Sequence, residues 1–244
     1  MSEQQETFIA HLVELRDRLI RALLAIVIVF VCLMPWAGSI YDILAKPMMD
    51  TLPAGTNMIA TGVVTPFFVP VKVTMMVAFV LALPWVLYQA WAFIAPGLYA
   101  HEKRFAIPFV MMSSIFFTLG CAFSHYVAFP AAWNFFGSFA DDTVQFAPRI
   151  EPVFSLYVRM ALGLGLVFEM PTLVMFLARV GLVTPKFLLK HTKYAILLIF
   201  VVAAIVTPGS DPLSLFLVAM PMIGLYGVSI GVAWLFKKRA RTDP

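Results

Sequence analysis

Long apolar runs divide this sequence, and polar or proline-containing segments separate them. The runs are too continuous for half-buried strands, which alternate polar and apolar positions, and too apolar for surface helices. They predict six membrane-spanning helices at about residues 22–38, 72–94, 105–133, 152–180, 194–207 and 213–236. We therefore expect an all-α membrane protein that forms a single polytopic domain over residues 1–244.

The segment before the first run, residues 1–21, is polar and then amphipathic. Phe8, Leu12, Leu15 and Leu19 recur at helical spacing, and charged residues fill the positions between them. This pattern predicts a cytoplasmic amphipathic helix that lies at the membrane surface and leads into the first span. At the other end, the polar residues 237–244 form a tail.

The connections between the runs carry further structural signals. Residues 40–44 predict a short helix lying on the membrane after the first span, and residues 65–72, TPFFVPVK, predict an extended entry to the second span. The third span is expected to be long, because no Lys, Arg, Asp or Glu occurs between Phe105 and Ala140. The fifth run is short, reaching roughly 20 Å at 1.5 Å per residue against a bilayer core of about 30 Å.

Composition supports a membrane protein and excludes several other classes. Of the 244 residues, 62% are hydrophobic and 12% are charged, and the mean hydropathy is +0.93; soluble domains carry about 25% charged residues. The net charge of +4 is no sign of nucleic-acid binding, because basic residues beside spans orient membrane proteins. Cys32 and Cys121 lie inside apolar runs and are expected to be lone thiols. The four histidines lack metal-ligand spacing, so no metal or cofactor is expected.

The distribution of basic residues predicts the orientation. Thirteen of the seventeen Lys and Arg residues fall on the side of the N-terminal segment, the 2–3 loop, the 4–5 loop and the tail. Cytoplasmic loops carry the excess of basic residues. We therefore expect a multi-pass membrane protein with both termini in the cytoplasm.

Enzyme signatures are missing from the sequence, which has no G-x-S-x-G, H-E-x-x-H or Walker A motif. The only acid deep in a span is Glu169, beside Pro171. An acid inside the membrane is costly and is a functional hypothesis by default, so we expect a role in substrate passage or partner-helix contact. The alternative is a protonated glutamic acid held by hydrogen bonds in a packed bundle.

Two further acids, Glu14 and Glu102, lie at predicted cytoplasmic membrane exits. Each has an ordinary explanation, since Glu14 can pair with Arg18 four residues on and Glu102 can be a solvated loop charge. Together they predict a carboxylate pair for a cationic ligand, and arginine fits best because its planar fork binds carboxylates bidentately. The aromatic residues expected to form an apolar floor beside this pair are Trp91, Phe93 and Tyr99.

Two other polar residues have simpler expected roles. Asp211 lies in the tight turn between the fifth and sixth spans, where a turn-capping aspartate is ordinary. Gln89, within the second span, is expected to form an interhelical hydrogen bond.

Several segments together resemble the TatC family, the core membrane subunit of the twin-arginine protein translocase. They are HLVELRDRL (11–19), MIATGVVTPFFVPVK (58–72), YQAWAFIAPGLYAHEKR (88–104), FEMP (168–171) and TPGSDP (207–212). No single motif is specific, but the combination is, and the resemblance runs from about residue 8 to the end of the sixth span.

The resemblance implies a six-helix, glove-shaped bundle with a concave face, and a receptor for signal peptides bearing consecutive arginines. It also implies export of folded proteins driven by the proton-motive force, with the single-span TatA and TatB proteins as partners, membrane lipid around it, and self-association in a larger complex. By resemblance the signal-peptide residues are Glu14, Arg16, Phe93 and Glu102, and the residues for translocation or partner contact are Pro47, Glu169 and Asp211.

The sequence departs from the family pattern at three places. The last outer turn reads TPGSDP where many relatives have TPPD. Leu215 stands where a glutamine is common, which puts a polar contact to partner helices in doubt, and His125 stands where tyrosine is frequent.

Two alternative functions stay open. One is a proton-coupled solute transporter with Glu169 as the proton carrier, which the lack of an internal repeat disfavours. The other is a purely structural assembly scaffold.

Overall fold

The computed structural model describes residues 3–50, 58–94, 106–138, 147–207 and 212–235. Within these ranges, five helices are long and apolar enough to cross a membrane: Ile9–Met49, Thr65–Phe93, Ile107–Gly137, Ile150–Arg179 and Val218–Leu235. A sixth apolar helix, Thr192–Ile205, is shorter. The predicted all-α membrane fold is confirmed, and the shortest apolar helix lies where the short fifth span was predicted.

The chain forms two compact units. The first unit contains residues 1–43 and 62–115, and the second contains residues 44–61 and 116–244. In the first unit, helix α1 (Glu3–Leu33) packs along helix α3 (Thr65–Ile94), and the start of helix α4 (Ala106–Phe123) follows. Near the end of α3, the Trp91 ring stacks on Phe109 of α4, with ring centroids 4.6 Å apart.

The first span was predicted to end near residue 38. The helical segment instead continues to Met49. A 3-10 turn, Met34–Trp36, joins α1 to helix α2 (Ala37–Met49), and the Ala37 N–H donates to the Met34 carbonyl. Pro35 lies at the start of this turn, where a missing N–H costs least. The predicted short helix over residues 40–44 therefore lies within α2, which continues from α1 through a tightened turn.

The second correction concerns residues 65–72, which are helical and not extended, because α3 begins at Thr65. Pro66 falls in the first helical turn, where backbone N–H groups have no intrahelical partner in any case. Pro70 lies inside the helix and, having no backbone N–H, removes one hydrogen-bond donor from it. The Thr74 Oγ1 hydroxyl donates to the Pro70 carbonyl at 2.8 Å. In an apolar environment, helix is favoured over extended chain because an extended segment leaves its backbone groups unsatisfied.

Helix α4 continues into helix α5 (Phe129–Gly137) through a wide π-helical turn, Ser124–Ala128. The Phe129 N–H donates to the Ser124 carbonyl, five residues back. Pro130 explains the widening, since its ring would collide with the carbonyl four residues earlier and cannot donate to it. The long helix predicted here is present, and this turn re-aims the side chains around His125.

The second unit is built on the fourth apolar segment, which is two helices, α6 (Ile150–Phe168) and α7 (Met170–Val180). Its single-helix prediction needs correction at Glu169, where the Glu169 N–H bonds the Leu166 carbonyl at 3.2 Å. Pro171 causes the break for the same reason as Pro130. Residues 116–123 of α4 cross α6 at Gly120 and Gly165, and Cys121 Sγ donates to the Ala161 carbonyl at 3.4 Å.

Three helices complete the second unit. After Gly181, which has a left-handed φ of 86° and ends α7 in a typical way, come α8 (Pro185–Lys190), α9 (Thr192–Val206) and α10 (Pro212–Leu235). Helix α10 packs against α7, α8 and α9. The fifteen residues of α9 extend about 22 Å, less than the bilayer core of about 30 Å.

Candidate functional site

The first candidate site lies where the N-terminal part of α1 meets the end of α3. We call it the Glu14 face, formed by His11, Glu14 and Arg18 of α1 and Phe93 of α3. The His11 ring stacks on the Phe93 ring, with centroids 4.4 Å apart and an angle of 20° between the planes. One turn further along α1, Glu14 Oε2 lies 3.9 Å from His11 Nδ1. The structure thus brings the predicted residues Glu14 and Phe93 together through His11.

The Glu14 carboxylate already has an intramolecular partner. Arg18 donates to Glu14 Oε1 through Nε, at 2.9 Å, and through Nη2. Both bonds go to the same oxygen, so among the described residues Oε2 has only the His11 ring beside it. The Glu14 side chain is 36% exposed, which leaves the pair within reach of a ligand.

Arg16, the third predicted residue on this helix, is not part of this cluster. Two positions along a helix are about 200° apart, so Arg16 and Glu14 project to different sides of α1. Arg16 instead bonds Asp17, with Nη2 2.8 Å from Oδ1. Its side chain is exposed, as is that of Asp17.

The expected apolar floor is only partly present. Phe93 is half-buried and belongs to the Glu14 face, but Trp91 is buried in its stack with Phe109. Trp91 and Phe93 are also two positions apart on α3, so they cannot share one side of the helix. The prediction that Trp91 lines the site is therefore wrong. Tyr99 and Glu102 lie outside the described residues.

Gln89 lies one helical turn before Phe93, on the same side of α3. Its side chain is buried, and its Oε1 accepts no hydrogen bond from any residue that the structure describes. The predicted interhelical bond is therefore not found for this oxygen. A buried acceptor of this kind is energetically costly until a donor reaches it.

The second candidate site surrounds Glu169, at the junction of α6 and α7. Glu169 is 6% exposed, and its neighbours Pro171 and Thr172 are completely buried. The Leu173 N–H donates to the Glu169 carbonyl at 2.9 Å, which restarts the helix directly after the break. The break places the side chain at a helix discontinuity, a place where neighbouring backbone and polar groups can satisfy a carboxyl inside a membrane. Asp211, the other acid predicted for translocation, lies outside the described residues.

A third feature links Pro47 to His125, the position that departs from the family pattern. Both line a small apolar depression in the second unit, together with Met48, Phe129, Pro130 and Trp133. His125 Nδ1 lies 3.0 Å from the Tyr157 hydroxyl of α6, and Tyr157 is buried. The π-helical turn aims His125 at α6, so this histidine has a structural partner that the sequence pattern did not reveal.

Two connections of the second unit, residues 58–61 and 148–150, are joined by a short set of backbone hydrogen bonds that we call the clasp. The Ile59 N–H donates to the Pro148 carbonyl at 2.9 Å, and the Ile150 N–H donates to the Ile59 carbonyl at 3.1 Å. Arg149 adds two hydrogen bonds to Thr61 Oγ1, at 2.8 and 3.1 Å. Sequence reasoning missed this clasp, because its two segments are about ninety residues apart in the sequence.

The family model described as TatC, Sec-independent protein translocase protein, matches residues 10–221. The chain belongs to the TatC family. The family and its relatives are named as translocase proteins, and the prediction of a non-enzymatic protein is confirmed.

Relatives with this name cover nearly the whole chain. The TatC protein of Halothiobacillus neapolitanus is 43% identical over 231 residues, which are 95% of this chain and 63% of that relative. The TatC protein of Escherichia coli strain K12 is 39% identical over 228 residues, covering 93% of this chain and 88% of that relative. The chain thus spans less than two thirds of the first relative and most of the second.

Two crystal structures of a twin arginine translocase receptor, TatC, have the same fold. One superposes with a TM-score of 0.80 at 33% sequence identity, and covers 93% of this chain and 99% of its own chain. The other, determined in DDM, gives a TM-score of 0.81 at 33% identity, with 93% and 100% coverage. The TatC fold predicted from the sequence motifs is confirmed by these matches.

Proposed function

We propose that this TatC-family chain receives the signal peptides of proteins exported by a twin-arginine translocase, and that Glu14 binds one of the paired arginines. The observation that carries this proposal is the contact between His11 and Phe93, which sets the exposed Glu14 carboxylate beside an aromatic surface. A peptide with arginine next to apolar residues needs that combination, because the guanidinium pairs with a carboxylate and stacks on aromatic rings.

Arg18 orients the Glu14 carboxylate when no signal peptide is bound. Its two bonds to Glu14 Oε1 keep the carboxylate oriented and neutralise part of its charge. An i,i+4 pair on a helix contributes only about 0.3–0.5 kcal/mol, and this pair is partly exposed. An incoming arginine that binds both carboxylate oxygens can therefore displace Arg18 at small cost.

The other predicted residues extend the proposal beyond the Glu14 face. Glu102 would supply the second carboxylate, one for each arginine of the pair. Arg16, which pairs with Asp17 on another side of α1, would contact a different part of the signal peptide. The apolar part of that peptide would then insert near Glu169, whose carboxyl is buried at a helix break.

We further propose that the single-span TatA and TatB proteins are partners, that contacts with them involve Pro47, Glu169 and Asp211, and that chains self-associate in a larger complex. Export of folded cargo would be driven by the proton-motive force. The excess of Lys and Arg on one side favours an inner-membrane orientation with both termini in the cytoplasm.

The experiment is photocrosslinking of a twin-arginine precursor to membranes with a crosslinker at position 14, 93, 102 or 169. Glu14→Gln, tested with the crosslinker at position 93, should reduce crosslinking at least about tenfold, since a charge-assisted bond contributes about 1.5–3 kcal/mol. Asp17→Asn is the matched control, because it removes another exposed, arginine-paired acid from the same helix.

A second arm replaces the two arginines of the precursor by lysines, which cannot bind bidentately. We expect weak crosslinking of this precursor to the unsubstituted chain. Equal loss from Glu14→Gln and Asp17→Asn, or full crosslinking of the lysine precursor, would refute arginine recognition by Glu14.

A further inference from the structure

The connection between α7 and α9 concentrates positive charge on a small surface. No Asp or Glu occurs from Met170 to Ser210, whereas Lys186, Lys190 and Lys193 lie close together in this stretch. All three lysines are exposed. We call residues 182–194 the basic platform.

One side of helix α8 is buried and apolar, and the opposite side is exposed and basic. Pro185 and Leu188 are buried against the unit, and at about 100° per residue Lys186 and Lys190 project from the opposite side. Phe187 and Leu189 lie between these two sides and are 50% and 55% exposed. The platform therefore presents two ammonium groups flanked by apolar side chains.

Hydrogen bonds fix this arrangement to the rest of the second unit. Thr184 Oγ1 caps α8 by accepting from the Phe187 N–H at 3.2 Å. The Tyr226 hydroxyl of α10 donates to the Leu188 carbonyl at 2.8 Å, and Thr192 Oγ1 donates to the Leu189 carbonyl at 3.0 Å. A platform tied to two helices holds its lysines in place, so a ligand does not have to order a loose loop.

The platform also lies at the level of a membrane boundary, because it joins two apolar helices, Ile150–Arg179 and Thr192–Ile205. Its exposed apolar surface continues along α9 through Tyr194, Leu197 and Leu198. Lys193 Nζ lies 5.0 Å from the centre of the Tyr194 ring. Tyrosine at the interface and lysine just outside it match the layering of acyl chains and headgroups.

We propose that the basic platform binds the headgroup phosphates of anionic phospholipid, with Lys186, Lys190 and Lys193 as the cationic ligands. Phe187, Leu189 and Tyr194 contact the adjoining acyl chains. The exposed apolar side chains on both α8 and α9 favour lipid over an acidic peptide or free phosphate, neither of which would cover them. This site shares no residue with the Glu14 face and does not depend on signal-peptide recognition.

The test is native mass spectrometry of the full chain in neutral detergent, with added phosphatidylglycerol or phosphatidylcholine. The unsubstituted chain should retain phosphatidylglycerol in preference to phosphatidylcholine. The triple substitution Lys186→Gln, Lys190→Gln and Lys193→Gln should reduce this preference by on the order of tenfold or more, because each surface lysine adds appreciably to anionic-lipid affinity.

Two variants control for charge and folding. Lys→Arg at the same three positions keeps the charge and should keep the preference. Lys237→Gln, Lys238→Gln and Arg239→Gln remove three positive charges from the tail and should leave it nearly unchanged. Circular dichroism and thermal unfolding establish that each variant is folded.

Specific outcomes would overturn the proposal. These are no phosphatidylglycerol preference in the unsubstituted chain, an equal loss in the tail variant, or an unchanged preference in the platform variant. Displacement of the lipid by millimolar inorganic phosphate would show a free-phosphate site instead. Displacement by an acidic peptide at lower concentration than the lipid would assign the platform to a protein partner.

Discussion

Gly120 and Gly165 lie so close that no side chain fits between them. A Cβ atom on Gly120 would lie 2.7 Å from the Gly165 Cα and 2.7 Å from the Leu164 carbonyl oxygen. Both obstacles are backbone, which cannot rotate out of the way. Small residues at such a crossing let helix backbones approach and pack in a membrane, where no hydrophobic effect drives helices together.

Gly120→Ala should therefore destabilise the second unit by about 1–3 kcal/mol, the usual cost of overpacking. Gly231→Ala is the matched control, because Gly231 is also helical and nothing lies within 4 Å of a Cβ placed there. Alanine at that position should be neutral or slightly stabilising. Thermal unfolding in detergent measures both, and equal behaviour of the two variants would mean that the crossing is not tight.

The stack of His11 on Phe93 predicts that a residue other than Glu14 and Glu102 also affects signal-peptide binding. His11→Ala should weaken binding of a fluorescent twin-arginine signal peptide by about two- to tenfold, since an aromatic pair contributes about 0.5–1.5 kcal/mol. His11→Phe keeps the stack and should restore most of the affinity. If both substitutions reduce affinity equally, the ring nitrogen near Glu14 and not the stack is what matters.

The hydrogen bond between Tyr157 and His125 should contribute to stability. Tyr157→Phe keeps the ring and removes the hydroxyl, so we expect a loss of about 0.5–1.5 kcal/mol. Tyr126→Phe is the control, because Tyr126 also contacts the His125 ring but is 74% exposed. Unfolding in detergent should distinguish the two, and a larger effect from Tyr126→Phe would contradict this assignment.

The clasp around Ile59 predicts a local change in amide exchange. Thr61→Val removes the hydroxyl that accepts both Arg149 bonds while keeping the side-chain shape. The Ile59 and Ile150 amides should then exchange several-fold faster, because the backbone pairing opens more often. The Leu173 amide, bonded to the Glu169 carbonyl, is an internal reference and should not change. Unchanged exchange at Ile59 would show that the backbone bonds alone maintain the clasp.

Prolines show where sequence reasoning reached its limit in the fold. Pro66 was predicted to lie in an extended segment, yet α3 begins at the residue before it, and Pro35 lies in a turn through which the helical segment continues. Near Pro130 and Pro171, by contrast, the helix widens or breaks. Pro70 and Pro84 take a third position, inside α3, without ending the helix. The sequence alone does not reveal which of these positions a proline occupies.

In the candidate site, too, some residues could be found from the sequence and others only from the structure. Glu14 and Glu169 could be selected from the sequence, since an acid at or within a membrane is unusual wherever the chain folds, and Phe93 could be selected as an aromatic residue of the family-like segment 88–104. His11 could not, because its importance comes from contact with a ring on α3. Trp91 was selected on composition and proved to be core, since its position on α3 faces Phe109.

By itself, the sequence determined the class of this protein, the approximate position of its apolar helices, the shortness of α9 and its family. These follow from the length of apolar runs and from local motifs. Inside a bilayer, an apolar segment that is not part of a closed barrel satisfies its backbone hydrogen bonds only as a helix. Only the tertiary structure decided that His11 meets Phe93, that Gly120 meets Gly165, and that Tyr157 meets His125. Each of these pairs joins different helices, and which sides of two helices meet depends on packing that residue order alone does not specify.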